Sequence, residues 1–216
     1  MKTKGINKAT TTKPSDLRKM IYAEASELLD QARKAFKNNN PDLVATDLRR
    51  VLKKIEKYDF NRLCAEMAGF LQYYSFMYSH DRLRGKRYDE KRRHYSKLAN
   101  IEEEVVAKYA AISYQLKATA HPSQSLKKEL SELCKEVKPY LDYHNLSIST
   151  FVYSLLVVNA DLQHNFEEYI KYCKEAIDFL ESRGDRSSLH YYYYLVPVMI
   201  ETQQFDLAEK YLMLSI

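Results

Sequence analysis

The chain has 216 residues, of which 45% are hydrophobic and 29% charged, with a net charge of +5; that is enough ordinary globular sequence for one sizeable core or an extended stack. Gly5, Gly69, Gly85 and Gly184 are too few for the tight turns of a β-rich fold, and no apolar run approaches the roughly 20 residues of a membrane-spanning helix. Cys64, Cys134 and Cys173, odd in number and set among apolar neighbours, make no disulfide framework and suit a reducing, cytoplasmic setting.

Residues 1–14 read as a disordered basic tail, with Lys2, Lys4, Lys8 and Lys13 among Thr, Asn and Gly. Residues 15–216 read as a single helical domain. Ser15 is the expected N-cap of the first helix, and Leu17, Ile21, Ala25, Leu28, Ala32 and Phe36 recur at helical spacing. The run Asn38-Asn39-Asn40-Pro41 ends it, with Asn40 as the next cap and Pro41 at the first helical position. Val44, Leu48, Val51, Leu52 and Ile55 form the second stripe, up to a break at Asp59. A third helix is predicted over 60–78. A break over 80–87, containing Gly85, separates it from a long helix running to about Lys117, with a kink allowed at Asn100. His121-Pro122-Ser123 stops that helix, and Leu126, Leu130, Cys134, Val137 and Leu141 mark the next. Further helices are predicted over 149–162, 166–182, 188–203 and from 206 to the end. Short turns force antiparallel neighbours, so the succession predicts an all-α fold of stacked helical hairpins, an α-solenoid.

Charge divides the chain. Residues 1–100 hold 23 Lys+Arg against 12 Asp+Glu, a net of +11, which leaves −6 for residues 101–216. The densest basic stretch is 82–97, with eight Lys/Arg against Asp89 and Glu90. On a helix, Lys86, Arg93 and Lys97 share one stripe while Tyr88 and Tyr95 lie on the opposite one. Arg82, Arg84, Lys86, Arg87, Arg93 and Lys97 are therefore candidate phosphate contacts for a nucleic acid, and the plainer reading is a solvated helix face.

The motifs of catalysis are missing from the sequence. There is no Gly-rich phosphate loop, no His-Glu-x-x-His and no G-x-S-x-G. His164 with Glu167 and Glu168 is the nearest approach to a ligand set, at a helix start where the dipole favours carboxylates anyway. The reading is a non-enzyme with no metal and no cofactor. The partners it expects are proteins or peptides, with nucleic acid second and no membrane.

Two stretches align without gaps, Thr150–Ile177 and Leu189–Ile216, their starts 39 positions apart. Each has an apolar first helix, a polar–Phe step (Asn165-Phe166, Gln204-Phe205) and an amphipathic second helix. The pattern resembles the tetratricopeptide (TPR) family. Tyr153, Leu156, Val157, Ala160, Phe166, Tyr169, Cys173 and Ala176 fall on its packing positions, and so do Tyr192, Leu195, Val196, Met199, Phe205, Ala208, Leu212 and Ser215. Val157 and Val196 stand where the family has a small Gly, and Tyr169 where it has a small Ala. The clearest repeats are 150–187 and 189–216. The resemblance implies a TPR-like superhelix that binds a protein or peptide on its concave face. In that register Tyr192 packs inward, while Ser154, Asp161, Leu162, His190, Tyr193 and Glu201 face the groove.

The last helix carries more apolar surface than one neighbour can cover, and no polar capping helix follows it. Two outcomes are expected: the natural chain continues, or the end self-associates as a homodimer through Leu207, Tyr211 and Leu214.

Overall fold

The computed structural model describes residues 14–119 and 121–215. Among these residues all regular structure is helical: α1 (Pro14–Lys37), α2 (Asp42–Ile55), α3 (Asn61–Met77), α4 (Arg82–Ala118), α5 (Gln124–Val137), α6 (Leu146–Leu162), α7 (Phe166–Ser182), α8 (Ser188–Glu201) and α9 (Phe205–Leu214). Short 3-10 turns, Glu56–Tyr58 and Lys138–Tyr143, follow α2 and α5. No described helix is long and apolar enough to cross a membrane. The expected tail lies outside the described residues, except for Pro14, which begins α1.

Scarce glycine leaves the chain to end its helices in another way. Among the described residues, Asn39, Asp59, His80, His144, His164 and Gln203 all adopt positive φ, with Gly184 as the one glycine that does. Short polar side chains tolerate this left-handed position better than branched ones. Several of these turns share one hydrogen-bond pattern. The N–H after the left-handed residue reaches back five positions: Asn40 to the Ala35 carbonyl (2.9 Å), Asn165 to Ala160 (2.9 Å), Asp185 to Leu180 (2.9 Å) and Gln204 to Met199 (2.7 Å). His164 and Gln203 are themselves 39 positions apart, so the two aligned stretches turn at the same place in the same conformation.

Two local expectations are revised. Pro41, not Asn40, holds the cap position of α2, which starts at Asp42 without a side-chain cap bond. The break after α3 is also shorter than predicted, and Gly85 lies inside α4. Asp81 caps that helix, its carboxylate accepting from the Arg84 N–H at 2.9 Å. A Cβ at Gly85 would sit 2.6 Å from the Phe76 ring. The glycine here serves close approach of α3 to α4, not a turn.

The amphipathic stripes converge on two clusters. The first holds Ile21, Leu29, Leu48, Ile55, Met67 and Leu71 from α1–α3; the second holds residues from Leu98 to Ala208, from α4–α9. Helix α4 has 37 residues and runs unbroken, a span of about 55 Å. It lies along α3 and packs on α6, while α5 packs on α6 and is tied to α4 by the Lys108–Glu136 pair (2.6 Å). Tyr95 of α4 packs against both clusters. After α6 the order is sequential, α6 on α7, α7 on α8 and α8 on α9.

Candidate functional site

Three turns and the start of α1 meet where the two clusters adjoin, and polar side chains fasten them. Asp59 ends the turn after α2, and its carboxylate accepts from the Leu146 N–H at the start of α6 (2.9 Å) and pairs with Arg183. Arg183 also donates to the His144 carbonyl (3.3 Å). Asn61 and Asn145 are buried, and the Asn145 amide donates to the Asn61 side-chain oxygen at 3.1 Å. Each has its second bond. Asn61 donates to Glu102 (2.9 Å), and Asn145 accepts from the Ile148 N–H (3.2 Å) as the cap of α6. Buried amides without partners would cost roughly 1–3 kcal/mol each, so this paired arrangement fixes how the two clusters meet.

Above this seam lies an open groove. Its larger part, a cavity of about 1060 Å³, is bounded by Leu17, Arg18, Lys19 and Tyr22 of α1, by Lys57, Tyr58 and Phe60 after α2, by Leu146, and by 182–187 with His190. A second cavity, of about 540 Å³, continues it between α1, α3 and α4 and shares Arg18, Tyr22 and Phe60. Phe60 is the centre of an aromatic wall. Tyr58 stacks on it at 6.0 Å, Tyr22 meets it edge-on at 5.3 Å, and the Arg18 guanidinium lies 5.2 Å from its centroid. Arg18 also donates to the Tyr58 carbonyl (3.3 Å) and pairs with Asp185 at 3.6 Å. Asp185 is held in turn by the N–H and hydroxyl of Ser187 (2.8 and 2.7 Å).

The residues singled out in the sequence are spread more widely. His190 lines the larger cavity. The other five line neither. Ser154 is half-buried between α6 and α8, donating to the Thr150 carbonyl (2.9 Å) and bonded to the Tyr191 hydroxyl (3.1 Å). Leu162 is half-buried against the second cluster, and Asp161, Tyr193 and Glu201 are exposed. The inward tyrosine of α8 is Tyr191, 3% exposed, while Tyr192 is half-buried beside Tyr211 at 5.9 Å. Burial pushes the Tyr191 phenol well above its ordinary range, and it pushes Cys64, Cys134 and Cys173 up to about 12. These thiols are protonated at neutral pH and unsuited to nucleophilic chemistry.

Of the basic segment, Arg93 pairs with Asp89 (2.7 Å), Arg84 with Asp81 (3.4 Å), and the Lys97 ammonium lies 5.2 Å from the Tyr143 ring. Arg82, Lys86 and Arg87 are exposed and make no ion pair among the described residues. Among those residues no group of three His, Cys, Asp or Glu side chains is placed to hold a metal.

Sequence reasoning missed the groove walls. Arg18, Tyr22, Lys57, Tyr58, Phe60, Arg183 and Arg186 come from three distant segments with no shared motif. The only local signals were the break at Asp59 and the Gly184 turn. Compared with family models, with curated proteins and with solved structures, the chain finds no match.

Proposed function

We propose that the chain is a non-catalytic, TPR-like α-solenoid scaffold that holds a segment of a partner protein in the groove between α1, the α2–α3 turn and the α7–α8 turn. One observation carries this reading: a cavity of about 1060 Å³ with an aromatic wall, rimmed by cations and built on polar ties. Pockets of this size and character suit recognition. Exposed aromatic surface beside charged groups is the usual composition of a binding hot spot. The repeated turn geometry at 39-residue spacing supports the solenoid part, and the three free buried cysteines support a cytoplasmic setting. The test is photocrosslinking from position 22, with the Tyr22→Ala variant as control in a direct binding assay. A partner that crosslinks at position 22 and binds the variant more weakly supports the groove. Crosslinks that map elsewhere would overturn it.

A second reading is favoured by the three unpaired cations Arg82, Lys86 and Arg87, which leave one end of α4 open to phosphates. If they bind nucleic acid, reversing all three to Glu abolishes a gel shift at about 50 mM salt, where non-specific phosphate binding is strong. The homodimer belongs to the proposal as well. Leu207 is 37% exposed and Leu214 43%, beside Leu212 at 43% and Met213 at 69%. A monomer by light scattering would remove it.

A further inference from the structure

We propose that the groove takes an acidic peptide segment bearing a single bulky apolar side chain, an inference that rests on the groove being a peptide site.

The charge of the larger cavity is one-sided. Five Arg or Lys line it against one carboxylate, that of Asp185. Two of the five are already engaged, since Arg18 pairs with Asp185 and Arg183 with Asp59. These hold the walls together. The remaining three, Lys19, Lys57 and Arg186, are exposed and take part in no ion pair among the described residues, and Lys57 and Arg186 come to the rim from different turns, after α2 and between α7 and α8. Two such cations on one rim attract a ligand whose carboxylates can reach both.

The apolar part of the groove limits what else the ligand carries. Phe60 is covered on its faces and edges by Tyr58, Tyr22 and Arg18. Open apolar area is left chiefly by Tyr22, 51% exposed, and Leu17, 41% exposed. That is room for one side chain, and it lacks the series of free ring faces on which successive bases stack. The adjoining cavity has the opposite balance, Arg18, Arg33 and Arg62 against Asp30, Asp59, Glu66, Glu102 and Glu103, and so repels an acidic ligand. The carboxylates of the ligand therefore belong at the Lys57–Arg186 mouth and its apolar residue at Tyr22. The chain's own first 13 residues, with four lysines and no acid, have the wrong sign for this mouth.

The test uses fluorescence anisotropy of short labelled Glu-rich peptides carrying one central Leu, with Gln-for-Glu and Lys-for-Glu versions. The Glu peptide is expected to bind, the Gln version about tenfold more weakly, and the Lys version not at all. Lys57→Glu with Arg186→Glu should abolish binding, and Tyr22→Ala should weaken it. These positions are exposed, and an unchanged circular dichroism melt checks the fold. Equal binding of the Glu and Gln peptides, both weakened by Tyr22→Ala, overturns the acidic assignment and leaves the peptide groove standing. No binding by any peptide, or binding indifferent to all three substitutions, overturns both. A single-stranded oligonucleotide that displaces the peptide, and is itself lost in the same variants, overturns the assignment in favour of nucleic acid. A dimer that dissociates on the charge reversal overturns it in favour of the acidic half of a second copy.

Discussion

The two core clusters put their aromatic residues to opposite uses. Around α6–α8 tyrosine is interior. Tyr153, Tyr169, Tyr172 and Tyr191 are buried, and the hydroxyls of the last three find partners. Tyr191 donates to the Thr150 carbonyl (3.2 Å), Tyr169 donates to that of Tyr194 (2.9 Å), and Tyr172 accepts from Lys138 (3.0 Å). Around α1–α3 the buried hydrophobic residues are aliphatic, methionine, cysteine or alanine, and the aromatics Phe36, Tyr58, Phe60 and Phe70 lie at the margin. An interior tyrosine with a bonded hydroxyl is a packing residue. A marginal ring beside an exposed cation is available to a ligand. Aromatic residues are thus part of the core in one half and lie at its margin, beside the proposed groove, in the other.

The largest effects should come from the aliphatic centres. Leu48→Ala in the first cluster and Leu195→Ala in the second are both fully buried truncations, expected to cost roughly 2–5 kcal/mol in urea titrations. Both should shift one common transition, because α4 and the Asn61–Asn145 pair tie the clusters together. Two separate transitions would break the comparison into independent units.

Next is the seam itself. Asn145→Ala removes the partner of buried Asn61 and the cap of α6, with an expected loss of roughly 1–3 kcal/mol. Tyr191→Phe should lose about 1 kcal/mol, because it removes one buried hydroxyl and keeps the ring. Tyr193→Ala, at 61% exposure, should stay within about 0.5 kcal/mol. Similar losses at Tyr191 and Tyr193 would erase the distinction between interior and surface tyrosine.

A pH dependence acts on both clusters at once. The three cysteines titrate near 12 when folded, because burial disfavours the thiolate, and near 8.5 when unfolded. Above about pH 8.5 the unfolded chain releases protons that the folded chain retains, so stability falls as pH rises toward 12. Equilibrium unfolding at pH 8 and pH 10 checks the sign. Thiol reagents should label the protein only as it unfolds.

The sequence by itself determined the helices. Apolar residues recurring at three and four positions leave one way to bury them, and polar residues able to take positive φ end nearly every run. The turn shared by the two aligned stretches, with His164 and Gln203 both at positive φ, is likewise written in adjacent residues. Gly85 misled the reading, since a glycine needed for close approach looks the same in sequence as one needed for a turn. Tyr191 was mistaken for Tyr192 because a run of four tyrosines marks no face of its own. Only the tertiary structure decided that α4 packs on both α3 and α6, and that the start of α1 meets the turns at 57–60 and 182–187. Both depend on contacts between residues far apart in the chain, whose pairing local periodicity does not encode. The groove is made of those pairings.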